Sequence, residues 1–295
     1  MSVAVLGFAD GAEPAARLAG ELGVPCHEVA VHRFPDGESL VRVPEAPETA
    51  LLYRSLDRPN AKIVELLLAA SALRDGGTLR LVLVAPYLAY MRQDIAFRPG
   101  EAVSQRVIGG LLAQHCDALI TLDPHLHRVA SLAEVMPGIE AVSVSAAPVL
   151  AAALDGMADP LLVGPDEESR QWVEAIARPR GLEVLLGRKR RLGDCQVELA
   201  IDGIERAAGR TAVLVDDLVS SGGTIRAAAR LLREAGAARI EVLATHCLAA
   251  EDDLAGLSEA GISALRATDT VAGPASVVPV AGLLAGELRR LGWVD

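Results

Sequence analysis

The stretch Thr211–Thr224, TAVLVDDLVSSGGT, carries the strongest structural signal in this sequence of 295 residues. Its first part, Thr211–Val215, is an apolar and β-branched run that predicts a buried strand. Two adjacent carboxylates, Asp216 and Asp217, follow it. A short loop of serines and glycines then leads into a predicted helix, Thr224–Ala235. A strand, a tight loop and a helix in this order are typical of an α/β fold.

The same alternation runs through the rest of the chain. A second charged loop after a buried strand, LVLVAPYLAYMRQD, occupies residues 81–94, so the two halves read as two copies of one plan. Alternating strands and helices form parallel sheets with helices on both faces. We therefore predict two mainly parallel α/β domains, 1–145 and 146–295, with the last helix, Val280–Leu291, a candidate to pack back on the first domain. Other predicted strands are Val3–Leu6, Ala118–Leu122, Leu161–Val163 and Ile240–His246, and other predicted helices are Asn60–Arg74, Ser104–His115 and Glu167–Ala177.

Composition narrows the class of protein. Hydrophobic residues make up 51% and charged residues 23%, and 28 Lys and Arg against 39 Asp and Glu give a net charge of -11. Such acidity argues against nucleic-acid binding, which needs clustered positive charge, but it allows a small anionic substrate. Four cysteines without a CxxC motif, no recognisable signal peptide and apolar runs of strand length predict a cytoplasmic protein with free thiols and no membrane association.

The loop Ser220–Thr224 has the chemistry of a phosphate cradle. Its glycines let backbone N–H groups approach an anion, its hydroxyls add donors, and the following helix contributes the positive end of its dipole. The adjacent carboxylates, Asp216 and Asp217, can hold sugar hydroxyls or a metal. The alternative is a plain strand–turn–helix with Thr224 as the N-cap, which explains the loop but not the paired carboxylates.

The stretch resembles the phosphoribosyl-diphosphate loop of type I phosphoribosyltransferases and ribose-phosphate diphosphokinases. Three further motifs, RFPDGE at 33–38, PYLAYMRQD at 86–94 and TLDPH at 121–125, are similar to the diphosphokinase family and are not expected in phosphoribosyltransferases. The resemblance runs along nearly the whole chain. It implies two tandem phosphoribosyltransferase-like domains, with ATP on the first and ribose 5-phosphate on the second. The implied reaction transfers the β,γ-diphosphoryl group of ATP to the 1-hydroxyl of ribose 5-phosphate and releases AMP.

The resemblance also implies roles for particular residues, position by position. On the ATP side it implies adenine contacts by Phe34, Asp36 and Glu38, and nucleotide contacts by Arg92 and Gln93. It implies that His125 and Asp166 bind Mg²⁺, and that Lys189 and Arg191, in the basic run Arg188–Arg191, stabilise the transferring group from a mobile loop. The residues implied to bind ribose 5-phosphate are Asp216, Asp217, Ser220, Ser221, Gly222, Gly223 and Thr224.

Simpler interpretations stay open for several of these residues. His125 is also explained as a hydrogen-bonded strand-end histidine, Arg92 and Asp94 as a surface ion pair, and the basic run as a solvated face. Ser220 stands where many family members have Asp, and Ile95 where many have a basic residue. These departures bear on regulation more than on catalysis.

Two other functions remain as alternatives. A phosphoribosyltransferase would need a nucleobase-covering segment, and the sequence offers no candidate for one. A non-catalytic regulatory homologue would not need Lys189, Arg191, Asp216 and Asp217 together. The resemblance further implies a dimer-based homo-oligomer.

Overall fold

The computed structural model describes residues 2–126, 128–191 and 197–294. They form two units, one made of the residues up to Ser145 together with those from Pro279 onward, the other of Ala146–Val278. Each unit contains a seven-stranded sheet among its described residues. No helix in the described ranges combines the length and apolar character that a membrane span requires.

The first unit is built on a mainly parallel sheet with the strand order β3-β2-β1-β4-β5-β6-β7. Among its described residues, only the β2–β3 pair is antiparallel. The strands are β1 Val3–Phe8, β2 Cys26–Arg33, β3 Ser39–Arg42, β4 Thr49–Tyr53, β5 Arg80–Val84, β6 Ala118–Leu122 and β7 Glu140–Val144. The α-helices are α1 Ala12–Leu22, α2 Pro59–Asp75, α3 Ser104–Ala113, α4 Leu132–Val135 and, from the end of the chain, α9 Ala281–Arg290.

The second unit repeats this plan strand for strand, in the order β10-β9-β8-β11-β12-β13-β14. In the described part of this unit, the one antiparallel pair is again at the edge of the sheet, between β9 and β10. The strands are β8 Leu161–Gly164, β9 Val184–Arg191, β10 Val197–Ile201, β11 Thr211–Val219, β12 Arg239–Cys247, β13 Ala264–Thr268 and β14 Ser276–Val278. The α-helices are α5 Ala147–Ala152, α6 Arg170–Ala177, α7 Gly223–Glu234 and α8 Glu251–Glu259. The predicted fold class is confirmed.

Buried strands supply the core of each sheet. Residues of β4 and β6 are buried without exception, as expected for central parallel strands covered on both faces. The last helix, α9, packs on α1 within the first unit, where the Arg289 Nη2 donates to the Glu21 carbonyl over 2.6 Å. The Trp293 Nε1 donates to the Glu140 Oε2 over 2.9 Å and fixes the chain end beside β7.

Several sequence-based boundaries were wrong. Strand β11 continues to Val219, beyond the predicted end at Val215. The basic run Arg188–Arg191, predicted to form a loop, is the end of strand β9, because its backbone pairs with β10 at the sheet edge. The predicted helix Glu167–Ala177 begins as a 3-10 turn, Glu167–Ser169, before α6.

Candidate active site

Strand β11 carries the two carboxylates of the second unit. It pairs with β8 only through Ala212–Leu214 but with β12 as far as Val219. Asp216 and Asp217 therefore lie beyond the end of β8, at the carboxyl edge of the parallel strands where ligands of such sheets bind. Asp217 is buried, and its backbone N–H donates to the Asp216 Oδ1 over 3.1 Å.

A third carboxylate, Asp166, follows the end of the neighbouring strand β8. Its Oδ1 accepts hydrogen bonds from the backbone N–H groups of Glu168 at 3.1 Å and Ser169 at 3.3 Å, which fixes its orientation. Burial, with the charges of Asp217 and Asp166, raises the pKa of Asp216 well above its ordinary value. The three carboxylates thus form a region of crowded negative charge.

The loop after β11 has the geometry of an anion site. Gly222 adopts the left-handed conformation, with φ of 69°, and is the N-cap of α7. A Cβ at this position would lie 2.8 Å from the Leu257 Cδ2, so both the backbone angle and the space require glycine. The predicted alternative with Thr224 as N-cap is wrong, because Thr224 lies in the first turn of the helix.

Among the described residues, this loop leaves several hydrogen-bond donors available to a ligand. Within the described part of the chain, the hydroxyls of Ser220, Ser221 and Thr224 have no hydrogen-bond partner. Gly223 is exposed, and a Cβ there would meet no atom within 4 Å. The N–H groups of the first helical turn have no intrahelical acceptor, so the loop offers several donors around one open space.

The two residues predicted to be catalytic, Lys189 and Arg191, belong to strand β9. In its antiparallel pairing with β10, Lys189 faces Leu199 and Arg191 faces Val197. The side chains of Lys189 and Arg191 lie outside the described part of the chain. Arg188, the first residue of the run, bonds to the Glu167 Oε1 over 3.1 Å and lies 3.4 Å from the Asp202 Oδ2.

The β2–β3 hairpin of the first unit carries the predicted adenine contacts on its turn. The turn closes through hydrogen bonds from the Phe34 N–H to the Glu38 carbonyl at 2.8 Å, from the Gly37 N–H to the Phe34 carbonyl at 2.9 Å, and from the Glu38 N–H to the Asp36 Oδ1 at 3.1 Å. Phe34 is 41% exposed, and its ring packs edge-on against His32. An exposed aromatic ring on a rigid turn can stack on a planar base.

The segment after β5 positions Arg92 and Gln93. Arg92 is exposed, whereas the Gln93 Oε1 accepts a hydrogen bond from the Ser104 Oγ. The predicted alternative of an ion pair between Arg92 and Asp94 is wrong. Asp94 is buried and accepts a hydrogen bond from the Arg128 Nη1 over 2.8 Å, which leaves the Arg92 guanidinium on the surface.

No preformed metal cage exists among the described residues, since no group of three His, Cys, Asp or Glu side chains there has an arrangement that could hold a metal ion. His125 follows strand β6 in the first unit and is partly exposed, and Asp166 belongs to the second unit. Mg²⁺ commonly binds through one or two carboxylates, water and substrate phosphates, so it does not need such a cage.

A buried ionic network in the first unit was not predicted. Glu65 of α2 bonds to Arg54, at the end of β4, over 2.6 Å and to Arg33, at the end of β2, over 2.8 Å. Its signal in the sequence is a single carboxylate within the apolar run of α2, IVELLLAA, and an arginine directly after the apolar run TALLY.

Comparison with known proteins agrees with this geometry. A family model for the N-terminal domain of ribose phosphate pyrophosphokinase matches residues 4–115, and a phosphoribosyl transferase domain model matches residues 143–266. The ribose-phosphate pyrophosphokinase of Methanopyrus kandleri is 36% identical over 97% of this chain and 99% of its own. That of Thermococcus kodakarensis is 36% identical over 88% of this chain and 91% of its own.

A solved structure supports the fold across both units. Phosphoribosylpyrophosphate synthetase from Mycobacterium smegmatis superposes with a TM-score of 0.83 at 24% identity, over 99% of each chain. The resemblance to ribose-phosphate diphosphokinases, an alternative name for the pyrophosphokinases, is therefore confirmed. Tandem matches to both domain models, together with relatives aligned along almost their whole length, show that this chain belongs to the ribose-phosphate pyrophosphokinase family.

Proposed function

We propose that this chain transfers the β,γ-diphosphoryl group of ATP to the 1-hydroxyl of ribose 5-phosphate. The hydroxyl oxygen attacks the β-phosphorus, and the bond from that phosphorus to the α,β-bridging oxygen breaks. AMP leaves with the bridging oxygen, the hydroxyl proton passes to solvent, and 5-phosphoribosyl 1-diphosphate forms. The main support is the carboxylate pair of β11, which lies next to the loop of hydrogen-bond donors at the start of α7. Pyrophosphokinase relatives that align along almost their whole length agree with it.

Ribose 5-phosphate would bind to the second unit. The loop formed by Ser220, Ser221, Gly222, Gly223 and Thr224 offers hydroxyl and backbone donors for the 5-phosphate. The start of α7 adds the favourable end of its dipole to the same space. This anchoring would leave the sugar ring next to the carboxylates at the end of β11.

Asp216 and Asp217 would orient the ribose by accepting hydrogen bonds from its ring hydroxyls. Charge-assisted hydrogen bonds of this kind are stronger and more directional than neutral ones. They would hold the 1-hydroxyl in one orientation for in-line attack, and positioning of this kind accounts for much of the catalysis of phosphoryl transfer.

The residues fit a magnesium ion. Asp166, Asp216 and Asp217 supply hard oxygen donors. Burial, and after it the charges of Asp217 and Asp166, raise the pKa of Asp216, and a bound cation would stabilise its ionised form. We propose Asp166 as a Mg²⁺ ligand of the second unit, and His125 as a Mg²⁺ ligand of the first unit, directly or through water. When bound, Mg²⁺ neutralises charge on the β- and γ-phosphates of ATP.

ATP would bind to the first unit. Phe34 offers a ring face to the adenine, and Asp36 and Glu38 offer carboxylates to its exocyclic amine. Arg92 has an exposed guanidinium for the phosphates, and Gln93, fixed by Ser104, offers an amide to the nucleotide.

Lys189 and Arg191 would stabilise the transferring group. The migrating diphosphoryl group spreads negative charge over its equatorial oxygens, and cations near those oxygens lower the barrier more than they favour the ground state. Lys189 and Arg191 are separated by one residue on strand β9, which would let both cations act on one group.

We also infer a dimer-based homo-oligomer in the cytoplasm. Val64 and Leu68 lie one turn apart on α2 and are 54% and 41% exposed, although the opposite face of this helix is in the core. An apolar surface on both faces of a helix favours a covering partner. Free thiols at Cys26, Cys116 and Cys247 agree with a reducing compartment. Light scattering of the purified protein tests the assembly.

The reaction is tested by incubating the protein with ATP, magnesium and ribose 5-phosphate and separating the nucleotides by chromatography. AMP that forms only when all three components are present supports the proposal. ADP in place of AMP indicates a γ-phosphate kinase. Saturable binding of ATP without turnover indicates a non-catalytic homologue. A protein that leaves ATP unchanged but consumes added 5-phosphoribosyl 1-diphosphate together with a nucleobase is a phosphoribosyltransferase.

A further inference from the structure

Helix α2 buries one carboxylate that receives three hydrogen bonds. Glu65 has no exposed surface, and its Oε1 accepts from the Arg33 Nε over 2.8 Å and from the Ser39 Oγ over 3.2 Å. Its Oε2 accepts from the Arg54 Nη2 over 2.6 Å. A buried charge is strongly unfavourable unless it is paired, so these donors and the carboxylate depend on one another.

Two of the three donors come from the base of the β2–β3 hairpin. Arg33 and Ser39 face each other in the last pair of that antiparallel ladder, directly before the turn closes. The turn between them carries Phe34, Asp36 and Glu38. One oxygen atom of Glu65 therefore holds both strands of the hairpin at the point where the turn begins.

The third donor connects this contact to the core of the sheet. Arg54 follows the central strand β4 and is 3% exposed, and its guanidinium carbon lies 3.8 Å from the centre of the Phe8 ring. Burial raises the pKa of Glu65, but hydrogen bonds from Arg33 and Arg54 outweigh it and lower the pKa overall, which keeps the carboxylate charged.

Strand β2 pairs with β1 as far as Val29, so the residues that lead into the turn extend beyond the end of β1. An open cavity of about 450 Å³ borders this part of β2, and its lining includes Val29, Val31 and Arg33 of β2 together with Phe8, Arg54 and Glu65. Val31 and Val41, one on each strand of the hairpin, are partly buried against the core. The bonds to Glu65 add polar anchoring at the end of the hairpin nearest the turn.

We propose that Glu65 is a positioning residue for the nucleotide, because it holds the hairpin turn in the orientation that receives the adenine. This inference rests on the proposed function, in which Phe34, Asp36 and Glu38 contact the base. Loss of the negative charge at Glu65 releases the base of the hairpin and weakens ATP binding. Ribose 5-phosphate binding is unaffected, because its residues belong to the second unit.

The test compares Glu65→Gln with a matched control, Glu241→Gln. Glu241 is also a buried carboxylate between two arginines, with Arg239 at 2.8 Å and Arg266 at 3.0 Å, but it lies in the second unit and contacts no hairpin turn. Both substitutions keep the side-chain size and remove one charge. If the only effect of Glu65→Gln is to lower the stability of the protein, Glu241→Gln should therefore show the same changes.

Three readouts identify a positioning role. For Glu65→Gln we expect the KM for ATP and the calorimetric Kd for ATP to rise about tenfold, the size expected for one lost charge-assisted hydrogen bond. We expect the KM for ribose 5-phosphate to stay within about twofold of wild type, since no substrate contact on that unit changes. Hydrogen exchange of residues 33–39 should become faster in Glu65→Gln and stay unchanged in Glu241→Gln.

Unchanged ATP affinity and unchanged exchange of the hairpin in Glu65→Gln overturn the inference, as do equal effects in Glu241→Gln. If Glu65→Gln does not unfold cooperatively, Arg33→Gln replaces it, because that side chain is largely exposed and its loss removes only the hairpin contact. Calorimetry and exchange need no turnover. A wild-type protein that forms no AMP therefore refutes the proposed reaction without deciding the role of Glu65.

Discussion

Gly222 and Gly223 are neighbours in one loop, but alanine should have a different effect at each position. We expect Gly222→Ala to lower the stability of the fold and Gly223→Ala to weaken substrate binding. At Gly222 the left-handed backbone costs alanine about 1–2 kcal/mol. The added Cβ would also lie 2.8 Å from the Leu257 Cδ2, and overpacking of this kind costs about 1–3 kcal/mol. We expect Gly222→Ala to lower the free energy of unfolding by about 2–4 kcal/mol, after a small offset from the stiffer unfolded chain.

Gly223 has none of these constraints. Its φ is negative, it is the first residue of α7, and a Cβ would meet no protein atom within 4 Å. Gly223→Ala should therefore keep the stability of the wild type to within about 1 kcal/mol. If the 5-phosphate is bound in the open space beside this backbone, the new methyl group competes with it. We then expect the KM for ribose 5-phosphate to rise roughly tenfold or more.

Urea unfolding and steady-state kinetics measure the two effects separately. We expect Gly222→Ala to be less stable than the wild type, and Gly223→Ala to keep wild-type stability but to bind ribose 5-phosphate weakly. Gly223→Ala with wild-type affinity would refute the assignment of the phosphate to the start of α7. Gly222→Ala with wild-type stability would refute the described loop geometry.

Four other substitutions test the remaining roles. Lys189→Ala should lower kcat by about 100-fold or more while calorimetry still detects ribose 5-phosphate binding, since it removes a charge used mainly in the transition state. Asp217→Asn should raise the KM for ribose 5-phosphate about tenfold and increase the magnesium concentration needed for half-maximal rate. Phe34→Ala should raise the KM for ATP about tenfold with little change in kcat, because stacking of a base is worth about 1–3 kcal/mol. The pKa of Asp216 is raised in the folded state, so ionisation of this carboxyl destabilises the ligand-free protein as the pH rises above about 4, the ordinary pKa of Asp. We therefore expect Asp216→Asn to have the same unfolding temperature as the wild type at acidic pH and a higher one at pH 8.

The sequence was informative wherever strand and loop chemistry are local. Thr211–Thr224 predicted a strand, paired carboxylates and a glycine-bearing turn into a helix, and the structure contains all three. The repeat of this plan in LVLVAPYLAYMRQD predicted two related sheets, which have the same strand order. Local patterns succeed here because the strands are buried on both faces and each is followed by a charged loop.

Tertiary pairing explains what could not be predicted. Strand β4, Thr49–Tyr53, is a short apolar run, which periodicity cannot distinguish from part of a buried helix. We predicted a loop at Arg188–Arg191 because four consecutive charged residues lack the apolar alternation of a strand. Antiparallel pairing with β10 nevertheless extends β9 to Arg191. The bond between Glu65 and Arg33 joins residues 32 positions apart, and no local pattern specifies such a contact.

The central claim is that the β-phosphorus of ATP is attacked by the sugar. Phosphorus NMR of a mixture of the protein, ATP, magnesium and ribose 5-phosphate follows every phosphorus atom at once. The proposal predicts that the AMP signal grows in step with two mutually coupled diphosphate signals, one of which also couples to the proton at C1 of the ribose. A signal of ADP together with a sugar bisphosphate would contradict it, because the γ-phosphorus would then be the site of attack.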